Sequence, residues 1–129
     1  MDFELSEEQR LLKQSVERLL LDRYGFEQRI AYMKEPGGFS RALWKQYADL
    51  GLLALPFAEE DGGIGGGAVE IMIVMEALGR ALVLEPYLAT VVLAGGVLRH
   101  AASQEQRAAI VPKIADGSLI LALVHSERQ

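Results

Sequence analysis

The sequence predicts an all-α protein: an orthogonal or up-down bundle of about five helices, followed by one C-terminal β-strand. Three observations carry this. Two Ser-x-x-Gln capping boxes, Ser6–Gln9 and Ser103–Gln106, mark helix starts. Apolar residues recur at helical spacing through most of the chain. Glycine and proline clusters cut the 129 residues into helix-length pieces.

The first helix starts at the Ser6 box, with Glu7 and Glu8 in its first turn, where they complement the helix dipole. Leu12, Val16, Leu19 and Leu20 form its apolar stripe, which runs to about Tyr24 before Gly25 stops it. A polar stretch leads to the turn Glu35-Pro36-Gly37-Gly38. Ser40 then caps a second helix bearing Leu43, Trp44, Tyr47 and Leu50, closed by Gly51. After Leu52–Pro56 comes an acidic, glycine-rich loop, Glu59 to Gly67. A third helix is expected from about Ala68 to Leu82, apolar on most faces and so buried in the bundle. Pro86 suits the first turn of a fourth helix reaching about His100. The second capping box opens the fifth helix, which Pro112 should kink or end, with Asp116-Gly117 as the stop. Ser118–Val124 is a short apolar run that reads as a buried strand with no partner strand in the sequence. The expected division is therefore residues 1–117 as a helical domain and 118–129 as the first strand of a β-domain lying beyond residue 129.

Composition excludes several function classes. The net charge is −5 and the cations are scattered singly, which leaves no field for a nucleic-acid backbone. With no cysteine there is no disulfide scaffold, thiolate nucleophile or thiolate-held metal. The acidic Met1–Glu4 start lacks the basic region and apolar core of a signal peptide. The weakly polar run Pro86–Leu98 is shorter than the roughly 18–20 residues of a membrane span. A cytoplasmic protein is expected.

Candidate chemistry is sparse. Gly63–Ala68 matches G-x-G-x-x-A, but Glu59, Glu60 and Asp61 stand where they would repel a phosphate, and no βαβ unit surrounds it. A structural glycine loop is the better reading. Neither histidine has the glutamate three residues before it that a di-iron bundle uses, since Val97 precedes His100 and Ala122 precedes His125. No metal site is expected. His125 and Ser126 are strand neighbours whose side chains point to opposite faces, so they form no nucleophile–base pair. Glu76 lies in an apolar helix, but Arg80 four residues on makes an ion pair the better reading than a base. Trp44, Tyr47 and Tyr87 read as packing aromatics. Pro86, Ala89, Thr90 and Leu93 follow i, i+3, i+4, i+7 spacing on the fourth helix, so they share one face. That face could accept a neighbouring helix or line an apolar tunnel, and composition does not choose.

A collinear series of motifs gives the chain its relationship. Phe3-x-Leu5-Ser6-Glu7-Glu8-Gln9 comes first, then Trp44, Leu50–Pro56 and Glu60–Gly65, then Glu76-Ala77-Leu78-Gly79-Arg80. Ser103–Gln106, Pro112–Gly117 and Ser126-Glu127 complete it. In this order the motifs resemble the N-terminal helical domain of acyl-CoA dehydrogenases, flavoenzymes that oxidise acyl-CoA thioesters to 2-enoyl-CoA. The resemblance implies a subunit with two further domains and FAD as cofactor. It implies removal of the α-proton by a carboxylate from outside this region, coupled to β-hydride transfer to the flavin. No residue of this chain matches that carboxylate, and Glu76 is not promoted to it.

Two features carry over by resemblance. The family's Thr-Glu-Pro at the start of its β-domain aligns with Ser126, Glu127 and Arg128, so Leu123, His125 and Ser126 become candidate flavin contacts. Arg128 departs from the pattern and suggests a divergent branch, some members of which work as unlike paired subunits. The fourth helix matches the family's acyl-cavity wall, which favours a lining role for Pro86, Ala89, Thr90 and Leu93. The partners implied are an acyl-CoA substrate, the remainder of the chain or a second subunit in a homo- or hetero-oligomer, and an electron-transfer acceptor. The competing reading is a non-catalytic helical subunit that pairs with another chain.

Overall fold

Helix α1, Glu7–Arg23, starts where expected, because the Ser6 box closes on itself. Ser6 Oγ accepts from the Gln9 amide at 3.2 Å, and Gln9 Oε1 accepts from the Ser6 amide at 3.0 Å. This computed structural model describes residues 4–127, so Phe3 and Arg128 lie outside the described residues. Val16 and Leu20 carry the stripe of α1 into the core, half-covered by Leu12 and Leu19.

The polar stretch after Gly25 is itself helical: α2 spans Phe26–Met33. None of its residues is fully buried, although Phe26, Ile30 and Met33 recur at i, i+4 and i+7 and Tyr32 packs against the core. It is held from the side instead. The Tyr32 hydroxyl donates to Arg23 O at 2.8 Å, and Arg29 Nε donates to Leu82 O at 2.8 Å.

Helix α3, Arg41–Asp49, begins at the Ser40 cap and buries Leu43, Trp44 and Tyr47. Gly51, at φ +75°, turns the chain into a single 3₁₀ turn, Leu52–Ala54, and a second follows at Glu59–Asp61. Helix α4, Ala68–Arg80, buries Ile73, Val74, Ala77 and Leu78 and packs along α1. A bond from Gln9 Nε2 to Glu70 Oε1 at 2.7 Å ties the two helices near their N-terminal ends.

The fourth expected helix departs from its predicted form. Its first bond runs from the Thr90 amide to Pro86 O at 3.0 Å, close to the expected start, but Leu88–Ala94 is wound as a π-helix before α5 continues over Gly95–Ala101. The Gly95 amide reaches back five residues to Thr90 O. Gly95 also accommodates the Phe57 ring, whose Cζ would lie 2.9 Å from an added Cβ. The wide turn thus sits where an aromatic ring presses on the helix backbone.

Helix α6, Gln104–Ala115, opens on the second capping box. It runs three residues past Pro112 before Asp116 and Gly117, the latter at φ +80°, end it. Pro112 lies exposed within α6, where its missing amide leaves the Ala108 carbonyl, itself on an exposed residue, without its helical donor.

The expected C-terminal strand does not form among the described residues. A strand needs a ladder partner, and among the described residues Ser118–Glu127 bonds instead to Lys113 and Asp116 at the end of α6 and to Thr90 of the π-helix. Gly117 O accepts from Trp44 Nε1 at 3.2 Å, and the Leu119 amide donates to Lys113 O at 2.9 Å. Leu119, Ile120 and Leu121 pack on the core, whereas residues 122–127 are exposed. The core is one cluster with Trp44, Tyr47, Phe57 and Tyr87 at its centre.

Candidate functional site

The π-helix and the C-terminal segment are joined by hydrogen bonds between Thr90 and Leu121, with Pro86, Ala89 and Leu93 flanking Thr90 in sequence and Leu123, His125 and Ser126 following Leu121. Pro86 and Ala89 are half-buried, and Leu93 is 45% exposed. Thr90 is 0% exposed and faces the other way. The shared face assumed an α-helical period. One extra residue in the turn rotates successive side chains out of that register and carries Thr90 inward. There its hydroxyl donates to Leu121 O at 2.9 Å and accepts from the Leu121 amide at 3.2 Å. Thr90 is therefore engaged with the backbone and lines no open surface.

Beyond Leu121 the segment is bare. Leu123, His125 and Ser126 are exposed, and among the described residues the backbone of 122–127 makes no hydrogen bond. His125 Nε2 lies 3.6 Å from Glu127 Oε1. Ala89 and Leu93 are thus the partly open apolar residues of the π-helix, and 122–127 is an exposed stretch with no backbone hydrogen bond among the described residues.

Below the start of the π-helix, Met75, Leu78, Leu82, Val83, Glu85, Tyr87 and Leu88 line a cavity of about 290 Å³. Leu82 turns the chain there at φ +52°. Glu85, 5% exposed, escaped sequence reasoning although a signal exists: it is the lone charge between Arg80 and Arg99. Its Oε2 accepts from the Tyr24 hydroxyl at 2.9 Å and its Oε1 from the Ser40 amide at 3.1 Å, while Tyr24 Oη accepts from the Leu84 amide at 2.7 Å. Burial pushes the Glu85 carboxyl above the ordinary glutamate range, partly offset by the Tyr24 bond. Burial likewise raises the hydroxyls of Tyr24, Tyr47 and Tyr87 above the usual phenol range. This cluster locks the loop that aims the π-helix.

The remaining candidates take structural roles. Glu76 pairs with Arg80 at 2.8 Å on an exposed face, and Arg80 also approaches Glu17 at 3.6 Å. In the glycine loop the amides of Gly63, Gly65 and Gly66 already donate to Ala58, Phe57 and Leu55 carbonyls, and the Gly67 amide donates to Glu70 Oε2 at 2.8 Å, which sets a carboxylate at the start of α4 where a phosphate would bind. His100 lies in an open cleft with Arg99, Asp61 and Arg107, in which Arg107 Nε is bonded to Asp61 Oδ2 at 2.8 Å. No group of three or more metal-ligating side chains occurs among the described residues, and none of their helices is long and apolar enough to cross a membrane.

Comparison with known proteins matches residues 6–118 to the model of the acyl-CoA dehydrogenase N-terminal domain. The acyl-CoA dehydrogenase IpdE2 of Mycobacterium tuberculosis is 37% identical over 119 residues, 92% of this chain and 36% of the relative. The probable acyl-CoA dehydrogenase YngJ of Bacillus subtilis is 27% identical over 122 residues, 93% of this chain and 32% of that one. Among solved structures, the ChsE4-ChsE5 complex from Mycobacterium tuberculosis superposes with a TM-score of 0.85 at 33% identity, over 95% of this chain and 34% of that one. The chain thus spans about a third of the length of the relatives it matches.

Proposed function

The chain belongs to the acyl-CoA dehydrogenase family through its N-terminal helical domain, and from that premise we propose that it contributes an acyl-pocket wall and one edge of a flavin site to an enzyme oxidising an acyl-CoA thioester to the 2-enoyl-CoA. The observation that carries the proposal is the junction itself: an exposed apolar helix face beside a segment whose amides have no partner among the described residues. Unpaired donors next to an apolar wall suit a planar heterocycle with a polar edge.

The donor set fits FAD in part. The Ser126 hydroxyl, the His125 ring and the amides of 122–127 match the hydrogen-bonding edge of an isoalloxazine, and Leu123 offers an apolar contact to its face. Bound flavin supplies the two-electron oxidation of the Cα–Cβ bond. The chain's own residues do the positioning: Pro86, Ala89 and Leu93 exclude water along an acyl chain, and Ser126 orients the ring. The family resemblance implies that the base taking the α-proton comes from outside this segment, and Glu76, paired with Arg80 at 2.8 Å on an exposed face, does not take that role.

A second reading is favoured by the likeness to a chain of a two-component complex. In it the chain works beside an unlike subunit that completes the site. Either way the acyl-CoA substrate and an electron-transfer acceptor are partners of the whole assembly. A cytoplasmic setting is part of this proposal.

The test is to purify the native assembly containing this chain and measure flavin content and turnover of acyl-CoAs of increasing length. Leu93→Phe should raise KM for the longest acyl chains and leave kcat on short ones near the wild-type value. Absence of flavin from that assembly, or a KM pattern indifferent to Leu93→Phe, refutes the proposal.

A further inference from the structure

Resting on the flavin reading above, we propose that Thr90 is a positioning residue: from inside the π-turn it latches the C-terminal segment at Leu121 and so sets the register of the flavin-facing residues that follow. The hydroxyl satisfies both backbone groups of Leu121, donating at 2.9 Å and accepting at 3.2 Å. That is the pair of bonds a neighbouring strand would exchange with one residue of an antiparallel ladder. A hydroxyl has one donor and two acceptor sites, so it can do both at once.

Three features show the arrangement to be specific. A helical threonine often bonds a carbonyl of its own preceding turn, but this one bonds a residue 31 positions away. The π-turn that rotates it inward is closed by the Gly95 amide bonding Thr90 O. After Leu121, no other backbone hydrogen bond holds residues 122–127 among the described residues. Leu123 is two residues beyond the latch, so a shift of register at Leu121 passes directly to Leu123, His125 and Ser126, which have no other backbone hydrogen bond among the described residues. Slippage by one residue at Leu121 would turn Ser126 to the opposite face. The same residue therefore connects the acyl wall, through Ala89 and Leu93 of its own helix, to the flavin edge.

Two substitutions separate latching from packing. Thr90→Val keeps the buried shape and loses both bonds; Thr90→Ser keeps both bonds and loses the buried methyl. In the flavin-loaded assembly, amide exchange at Leu121 and the visible absorbance and reduction potential of the flavin are measured for both. Latching predicts that Thr90→Val speeds Leu121 exchange by about tenfold and shifts the flavin spectrum and potential, while Thr90→Ser restores both to near wild type. The reverse order, with valine benign and serine disruptive, assigns Thr90 to packing and overturns the proposal. Faster exchange with an unchanged flavin overturns the positioning role. A wild-type assembly without flavin refutes the function proposed above and takes the flavin half of this one with it, whereas unchanged Leu121 exchange with flavin bound refutes the latch alone.

Discussion

Replacing Glu85 tests whether the loop before the π-helix is held by a buried carboxylate. Glu85→Ala removes the acceptor for the Tyr24 hydroxyl at 2.9 Å and for the Ser40 amide at 3.1 Å. Each buried donor left without a partner costs about 1–3 kcal/mol, so the loss should be about 2–5 kcal/mol, a large share of the 5–15 kcal/mol typical of a domain. Glu85→Gln keeps one acceptor and points its amide at a donor, which costs about 1–2 kcal/mol. The pH dependence carries the sharper test. Burial raises the Glu85 carboxyl in the folded protein, so the folded state holds that proton more tightly than the unfolded chain. The stabilisation is complete below the unfolded value of about 4.3 and is lost as pH rises through the higher folded value. Glutamine does not titrate. The stability gap between wild type and Glu85→Gln should therefore be widest in acid and narrow towards neutrality. Denaturant unfolding of both proteins at a series of pH values reads this directly. A gap that is constant or widens with pH would refute the claim that desolvation dominates at Glu85.

Two further outcomes follow from buried polar atoms and from close packing. The Tyr47 hydroxyl is fully buried and bonded to nothing among the described residues, whereas the Tyr87 hydroxyl donates to Leu52 O at 2.9 Å. Thermal melts should find Tyr47→Phe neutral or stabilising by up to about 1 kcal/mol, and Tyr87→Phe destabilising by about 1–2 kcal/mol. A Cβ on Gly63 would overlap the Phe57 carbonyl, whose oxygen accepts from the Gly65 amide, while a Cβ on Gly79 in α4 meets open space. Gly63→Ala should cost about 2–4 kcal/mol, and Gly79→Ala should stabilise by about 0.5–1 kcal/mol. Equal effects in the two would mean that the loop is not built on close backbone approach.

Helix starts, the glycine stop at Gly51 and the Asp116-Gly117 terminus were legible in the sequence, because the groups that make them lie within three or four residues of one another. The Ser6–Gln9 and Ser103–Gln106 boxes bond as their spacing predicts. The collinear motifs carried the family as well, since they repeat local structure in a fixed order. Helix α2 was missed although it leaves a local trace: Phe26, Ile30 and Met33 fall at i, i+4 and i+7 and Gln28 caps the Gly25 amide, within a stretch of only eight residues. The site was legible only as a neighbourhood. Which residues of the fourth helix face outward depends on a π-turn that exists where Phe57 meets Gly95, residues 38 positions apart. Thr90 meets Leu121 across 31 positions, and Glu85 meets Tyr24 across 61. Local hydrogen-bond chemistry decides where a helix begins. Which way its side chains turn, and what an extended segment bonds to, depend on contacts made only after distant pieces of the chain have packed.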